Sequence, residues 1–180
     1  MKIEQHWDGK PKESPKSYAW LQYDNKHLYL AVKSESDPWT KDMPISLKER
    51  IPMIEVSFES QEGTHSKGWW LEDMPTGPIY TLWGHFNGKM EVVNTFGMPY
   101  EKLVNLEKHI EYKHSVQNVE NLSWTAEWKI PFSEIGISPN EVDKLCFNIG
   151  VWKRGGWFAW IATGSSIWEI EKAGFIKFAK

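Results

Sequence analysis

The segment Met53–Glu59 alternates without a break: Ile54, Val56 and Phe58 point one way, Glu55, Ser57 and Glu59 the other. That is the period of a β-strand with one face on a core. The same period recurs along the chain. Leu28, Leu30 and Val32 share a face in His27–Lys33; Trp124, Ala126, Trp128 and Ile130 do so in Ser123–Ile130; Leu145, Phe147, Ile149 and Val151 do so in Leu145–Trp152. Asp24-Asn25-Lys26 joins Ala19–Tyr23 to His27–Lys33, and Asn87-Gly88 joins Ile79–Phe86 to Lys89–Asn94 as a hairpin. Lys108–Val116, Trp157–Ile161 and Gly174–Phe178 complete about ten expected strands. Pro131–Gly136 reads as one short helical turn, opened by Pro and closed by Gly. No amphipathic helix, repeat or linker is read between the strands. Residues 1–180 are therefore expected to form one all-β domain, a two-sheet antiparallel β-sandwich of jelly-roll or immunoglobulin-like architecture. Ser34–Arg50, with Pro38 and Pro44, is too long to be a mere connection, and Ser60–Pro78, with Trp69 and Trp70, is a second irregular stretch.

Composition narrows the function. Twelve of the 180 residues are Trp, more than a core of this size requires. Indole rings are large and carry one N–H, so many stay partly exposed with a flat face available. Flat apolar faces rimmed by hydrogen-bonding groups suit a sugar ring, although most of the twelve are expected in the core. Lys+Arg 21 against Asp+Glu 24 gives a net charge of −3, with no general pull towards nucleic acid or an acidic membrane. No apolar run approaches the roughly 18 residues of a membrane span, and Lys2–His6 lacks the apolar stretch of a signal peptide. The single cysteine, Cys146, excludes an internal disulfide framework.

Reaction chemistry finds little footing. Gly164-Ser165-Ser166 is not a nucleophile elbow, and there is no phosphate loop or dinucleotide fingerprint. Glu127 and Glu134 are the nearest thing to a glycosidase carboxylate pair. The six histidines show no metal-ligand spacing, so no metal site is assigned. Trp168, in the polar run Gly164–Glu169, lacks the alternation of a core strand and reads as a ligand platform. Trp39 stands between Asp37-Pro38 and Thr40; of the adjacent Trp69 and Trp70, one is expected buried and the other a contact. Asn148 lies opposite Phe147 and Ile149 in parity, with Trp152, so that Glu55, Asn148 and Trp152 would line one groove if their faces match. Lys153-Arg154-Gly155-Gly156-Trp157 reads as a solvated hairpin tip.

Several stretches, in order from about Ala19 to Lys180, resemble the family 9 carbohydrate-binding modules and the wider DOMON-like sandwich group. They are Tyr23–Val32 with its Asp-turn-Leu-Tyr-apolar pattern, Ile54–Phe58, Trp124–Gly136, Phe147–Val151, and Trp168 followed by Gly174-Phe175-Ile176. The resemblance implies a non-catalytic monomeric sandwich that binds an oligosaccharide or polysaccharide, in some members at the reducing end, with two Trp rings clamping a sugar. Trp168 and Trp39 would be the rings, Glu55 and Asn148 the polar partners, with Trp70 as a further contact. Where reducing-end binders carry a glutamine after the Phe-Asn-apolar strand this chain has Gly150, and Thr81 or a neighbour stands where a basic residue is expected. The resemblance also implies an extracellular or periplasmic setting and the structural calcium that related modules carry, for which Asp37 and Asp42 are the nearest carboxylates; no EF-hand-like ligand string accompanies them. No other cofactor is expected. The alternatives are a haem-binding DOMON-like domain, with His85, Met90 or Met98 as nominal ligands, a small glycosidase, and a degenerate sandwich serving as an interaction domain of a glycan-degrading system.

Overall fold

A computed structural model describes residues 1–13, 16–35, 54–59, 79–94, 100–118, 123–142, 144–153 and 156–179. Trp39, Trp70, Asp37, Asp42 and Met98 lie outside the described residues. The alternating runs form strands close to where the period places them. In chain order these are β1 (Gln5–His6), β2 (Ser17–Tyr23), β3 (His27–Glu35), β4 (Ile54–Glu59), β5 (Ile79–Gly84) and β6 (Met90–Asn94). After them come β7 (Glu111–Asn118), β8 (Ser123–Pro131), β9 (Lys144–Lys153), β10 (Gly156–Ala159) and β11 (Gly174–Lys177).

Two antiparallel sheets result, and the architecture is a β-sandwich. The larger runs β1-β10-β9-β4-β5-β6, with β11 also paired to β9; the smaller runs β2-β3-β8-β7. Their inner faces carry the expected apolar sets: Ile54, Val56, Phe58, Leu82, Phe147, Ile149 and Val151 from one, Leu28, Leu30, Val32, Trp124, Trp128 and Ile130 from the other. Gly84 shows how closely the sheets meet. A Cβ there would lie 2.3 Å from Cζ2 of Trp128, so the absent side chain is the space the indole fills. The β2–β3 turn is held by Asp24, whose Oδ1 accepts the backbone N–H groups of Lys26 and His27 at 2.7 Å while Oδ2 accepts the Tyr29 hydroxyl at 2.8 Å. Those donors, the Lys26 N–H foremost, lower the Asp24 pKa to about 2.

Two features depart from the sequence reading. A ten-residue helix, α1 (Tyr100–His109), precedes β7, where no amphipathic helix was expected and where a strand was expected from Lys108. Leu103 and Leu106 are its buried positions, three apart on one face, and the His109 imidazole lies 2.9 Å from the Glu134 carboxylate. The apolar stripe is only that wide, too narrow to outweigh the polar residues around it in a sequence reading. The second departure is β1, which pairs Gln5 with Ala159 and His6 with Phe158 ahead of the first expected strand. The expected helical turn is a 3-10 turn over Phe132–Glu134, with Gly136 beyond it at φ 62°.

The pairing of β9 decides where a site can form. Its other edge being taken by β4, both β10 and β11 lie along one edge, β10 against Gly150–Lys153 and β11 against Lys144–Phe147. The chain between them, 160–173, must leave the sheet and return within the width of one strand.

Candidate functional site

Glu55 stands on the outer face of the larger sheet, in register with Trp83 on β5 and Gly150 on β9. It is only 5% exposed. Its Oε2 accepts the Trp83 indole N–H at 3.0 Å, and its Oε1 is buried with no hydrogen-bond partner among the described residues. Burial raises its pKa to about 7, opposed by the Trp83 hydrogen bond. A carboxylate held so far out of water, with one oxygen left without a partner among the described residues, is expensive unless something else uses it.

The segment 160–173 builds a wall beside Glu55. Asn148, fully buried on β9, is its anchor. Its Nδ2 donates to the carbonyls of Ile161 at 3.1 Å and Ile167 at 3.3 Å, and its Oδ1 accepts the backbone N–H groups of Ile149 at 3.0 Å and Ile161 at 3.3 Å. The N-terminal segment holds the same wall from the other side: Gly164 N–H donates to the Trp7 carbonyl at 2.9 Å, Ala162 N–H to Gln5 Oε1 at 3.0 Å, and Trp7 N–H to the Trp157 carbonyl at 3.0 Å. Gly164 sits at φ 82°, and the Thr163 hydroxyl donates to the Ser166 carbonyl at 2.9 Å, which closes the tip.

Between wall and sheet lies a cavity of about 310 Å³, lined by Trp7, Trp157 and Trp168, by Glu55, and by Ser165, Ser166 and Ile167. All three indoles are half-buried, and the ring of Trp157 packs edge-on against Trp152 at 5.5 Å. The chemistry on offer is three flat apolar faces, one desolvated carboxyl group and two hydroxyl-bearing residues. Hydrolysis of a glycosidic bond needs two flanking carboxylates, and Glu55 is the one carboxylate among the described residues that line the cavity. Of the pair nominated from sequence, Glu127 is exposed on β8, and Glu134 faces His109. Among the described residues no group of three His, Cys, Asp or Glu side chains could hold a metal ion. His85 is buried, with Nε2 2.9 Å from Glu91 Oε2.

The structure brings two expected site residues, Glu55 and Trp168, into one cavity. Asn148 shares the parity of Glu55, but its amide is enclosed and its hydrogen bonds go to Ile149, Ile161 and Ile167, which ties it to the wall. Trp157 was read as part of a solvated hairpin tip, yet it pairs with Trp152 on the face of Glu55; the hairpin register carried that signal. Trp7 had none, since tertiary backbone bonds to Trp157 and Gly164 bring it here.

No protein-family model matches the chain, and no curated protein does. Solved structures do match. Against a carbohydrate-binding module family 9 from Caldicellulosiruptor kristjanssonii in complex with glucose, the TM-score is 0.63 at 12% identity, covering 97% of this chain and 81% of that one. Against such a module from the same organism in complex with cellotriose it is 0.57 at 13% identity, covering 92% and 76%. The chain shares the fold of family 9 carbohydrate-binding modules.

Proposed function

We propose that this domain binds carbohydrate without acting on it, and that the cavity over Glu55 takes a sugar ring at the end of a glycan chain. The observation that carries the reading is the convergence of Trp7, Trp157 and Trp168 on a buried carboxyl group whose Oε1 has no partner among the described residues. Aromatic faces give a pyranose its C–H contacts, and Glu55 takes its hydroxyls. At about 310 Å³ the cavity stands at the lower end of small-molecule sites, which suits one or two rings and hence a chain end. The fold likeness to modules in complex with glucose and cellotriose supports the same ligand class. Trp39 and Trp70, which flank β4 in sequence, are proposed as further stacking rings. Such a domain would act by raising the local concentration of a linked or partner enzyme on its polysaccharide.

Intrinsic tryptophan fluorescence, titrated with mono- and oligosaccharides and with the corresponding alditols, tests this. A saturable change with intact sugars, lost in Trp168→Ala and absent with alditols, is the expected result. A protein that responds to none of the panel overturns the reading.

A further inference from the structure

The outer face of the smaller sheet carries a second feature that the cavity over Glu55 does not explain. It is an open trough of about 600 Å³, nearly twice the volume of that cavity, and it reaches across all four strands. Strand register lays Trp20, Ala31, Glu127 and Lys113 in one row across it, and Gln22, Tyr29, Lys129 and Glu111 in the next. The four strands span three inter-strand spacings, about 14 Å. Ala31 is the smallest side chain in its row and leaves the depression beside Trp20. Trp20 itself is 54% exposed, on a strand whose inward neighbour Ala19 is fully buried. The Tyr18 ring lies 6.1 Å from it, tilted by 34°, so a second aromatic ring stands beside the platform.

The charges on this face cancel. Lys129 Nζ donates to Glu111 Oε1 at 2.7 Å, and Glu127 stands in register with Lys113. An anionic polymer would meet as many carboxylates as cations. A protein partner, including a second copy of this chain, prefers an interface core depleted of such charges. A solvent-exposed indole within a neutral grid of hydrogen-bond donors and acceptors complements a neutral polyhydroxyl chain. The trough is open, so it accepts a run of rings from the chain's interior.

From this we infer a second glycan site: the outer face of β2-β3-β8-β7 binds an internal segment of a neutral polysaccharide, with Trp20 as its stacking platform. The inner faces of the sheets pack on each other, so the two sites sit on opposite outer faces of the sandwich. One domain then engages a chain end on one side and a chain interior on the other. On a polymer the two would reinforce each other by effective concentration.

The test is native affinity electrophoresis of the full chain in gels containing hydroxyethylcellulose, mixed-linkage β-glucan, glucomannan or arabinoxylan, with glucose and cellotriose titrated by fluorescence in parallel. Trp20→Ala is expected to weaken retardation by at least one polymer roughly tenfold, the loss of one aromatic anchor, while leaving the small-sugar response intact. Ala31→Gln, which fills the trough floor, should act in the same direction, with circular dichroism reporting whether each variant is folded. Trp168→Ala should do the reverse, abolishing the small-sugar response and keeping the Trp20-dependent retardation. If small sugars fail but Trp20-dependent retardation persists, the cavity reading falls and this one stands. Equal retardation of wild type, Trp20→Ala and Ala31→Gln in every gel overturns it, as does no retardation at all. A wild-type dimer in sedimentation that Trp20→Ala converts to monomer overturns it in favour of self-association.

Discussion

Gly150 and Ile167 interlock: a Cβ at position 150 would come within 2.7 Å of the Ile167 Cδ1 and 2.8 Å of its Cγ1. The place where a glutamine was sought is therefore the seat of the wall that closes the cavity, and the missing side chain makes that wall possible. Gly150→Ala is expected to cost about 1–3 kcal/mol of stability, the usual range for overpacking. Urea denaturation measures it. Ile167→Ala removes the atoms the new methyl would strike, so the double variant should be less destabilised than the two single effects added.

Asn148 offers a sharper separation of roles. If its amide holds the wall, Asn148→Ala leaves the Ile161 N–H and the carbonyls of Ile161 and Ile167 without their partner, at a cost of about 2–4 kcal/mol. Hydrogen exchange should then quicken at the Ile161 amide, with the β3 and β8 amides still protected. A residue that merely touched ligand would lower affinity and leave exchange unchanged.

The sandwich was legible because burial of one face imposes period 2, and that period survives in the sequence wherever a strand is half-buried, as in β3 and β8. Trp168 was reached from its polar, non-alternating context as well as through the resemblance, whereas parity alone gave only the face of Glu55 and the resemblance its role. Parity could not say what covers a face. Asn148 and Glu55 share one, yet the segment 160–173 buries the first and leaves the second beside a cavity. Trp7 was invisible because its place depends on backbone bonds to Trp157 and Gly164, residues some 150 positions away. The helix Tyr100–His109 was missed because two buried leucines suffice to dock it on the sandwich.

The two unforeseen rings make their own prediction. Trp7 and Trp157 line the cavity with Trp168, but Trp157 also packs on Trp152, whereas the backbone bonds of Trp7 survive truncation of its side chain. Trp7→Ala should weaken the sugar response roughly tenfold with little change in stability. Trp157→Ala should weaken both. Isothermal titration beside thermal melts separates the two effects, and full affinity in Trp7→Ala would remove that ring from the site.

Glu55 sets the pH dependence, and the sign follows from its burial. Its pKa is near the ordinary value of 4.5 in the unfolded chain and about 7 in the fold. Between those values the native state holds a proton that the unfolded state has released, so stability falls as pH rises through this window. The contribution is fully lost once pH exceeds about 7, and its size is roughly 3 kcal/mol. Because other groups titrate in the same range, the readout is the difference between wild type and Glu55→Gln. Relative to that variant, wild type should lose stability from pH 5 to pH 8 in urea unfolding. Ligand affinity should run the opposite way. An ionised Glu55 accepts hydroxyl hydrogen bonds through Oε1 more strongly than a protonated one, so sugar binding should tighten as pH rises through 7, and Glu55→Gln should flatten the curve. Affinity that is flat in wild type across this range would take the carboxyl group out of the contact and leave the indoles to hold the sugar.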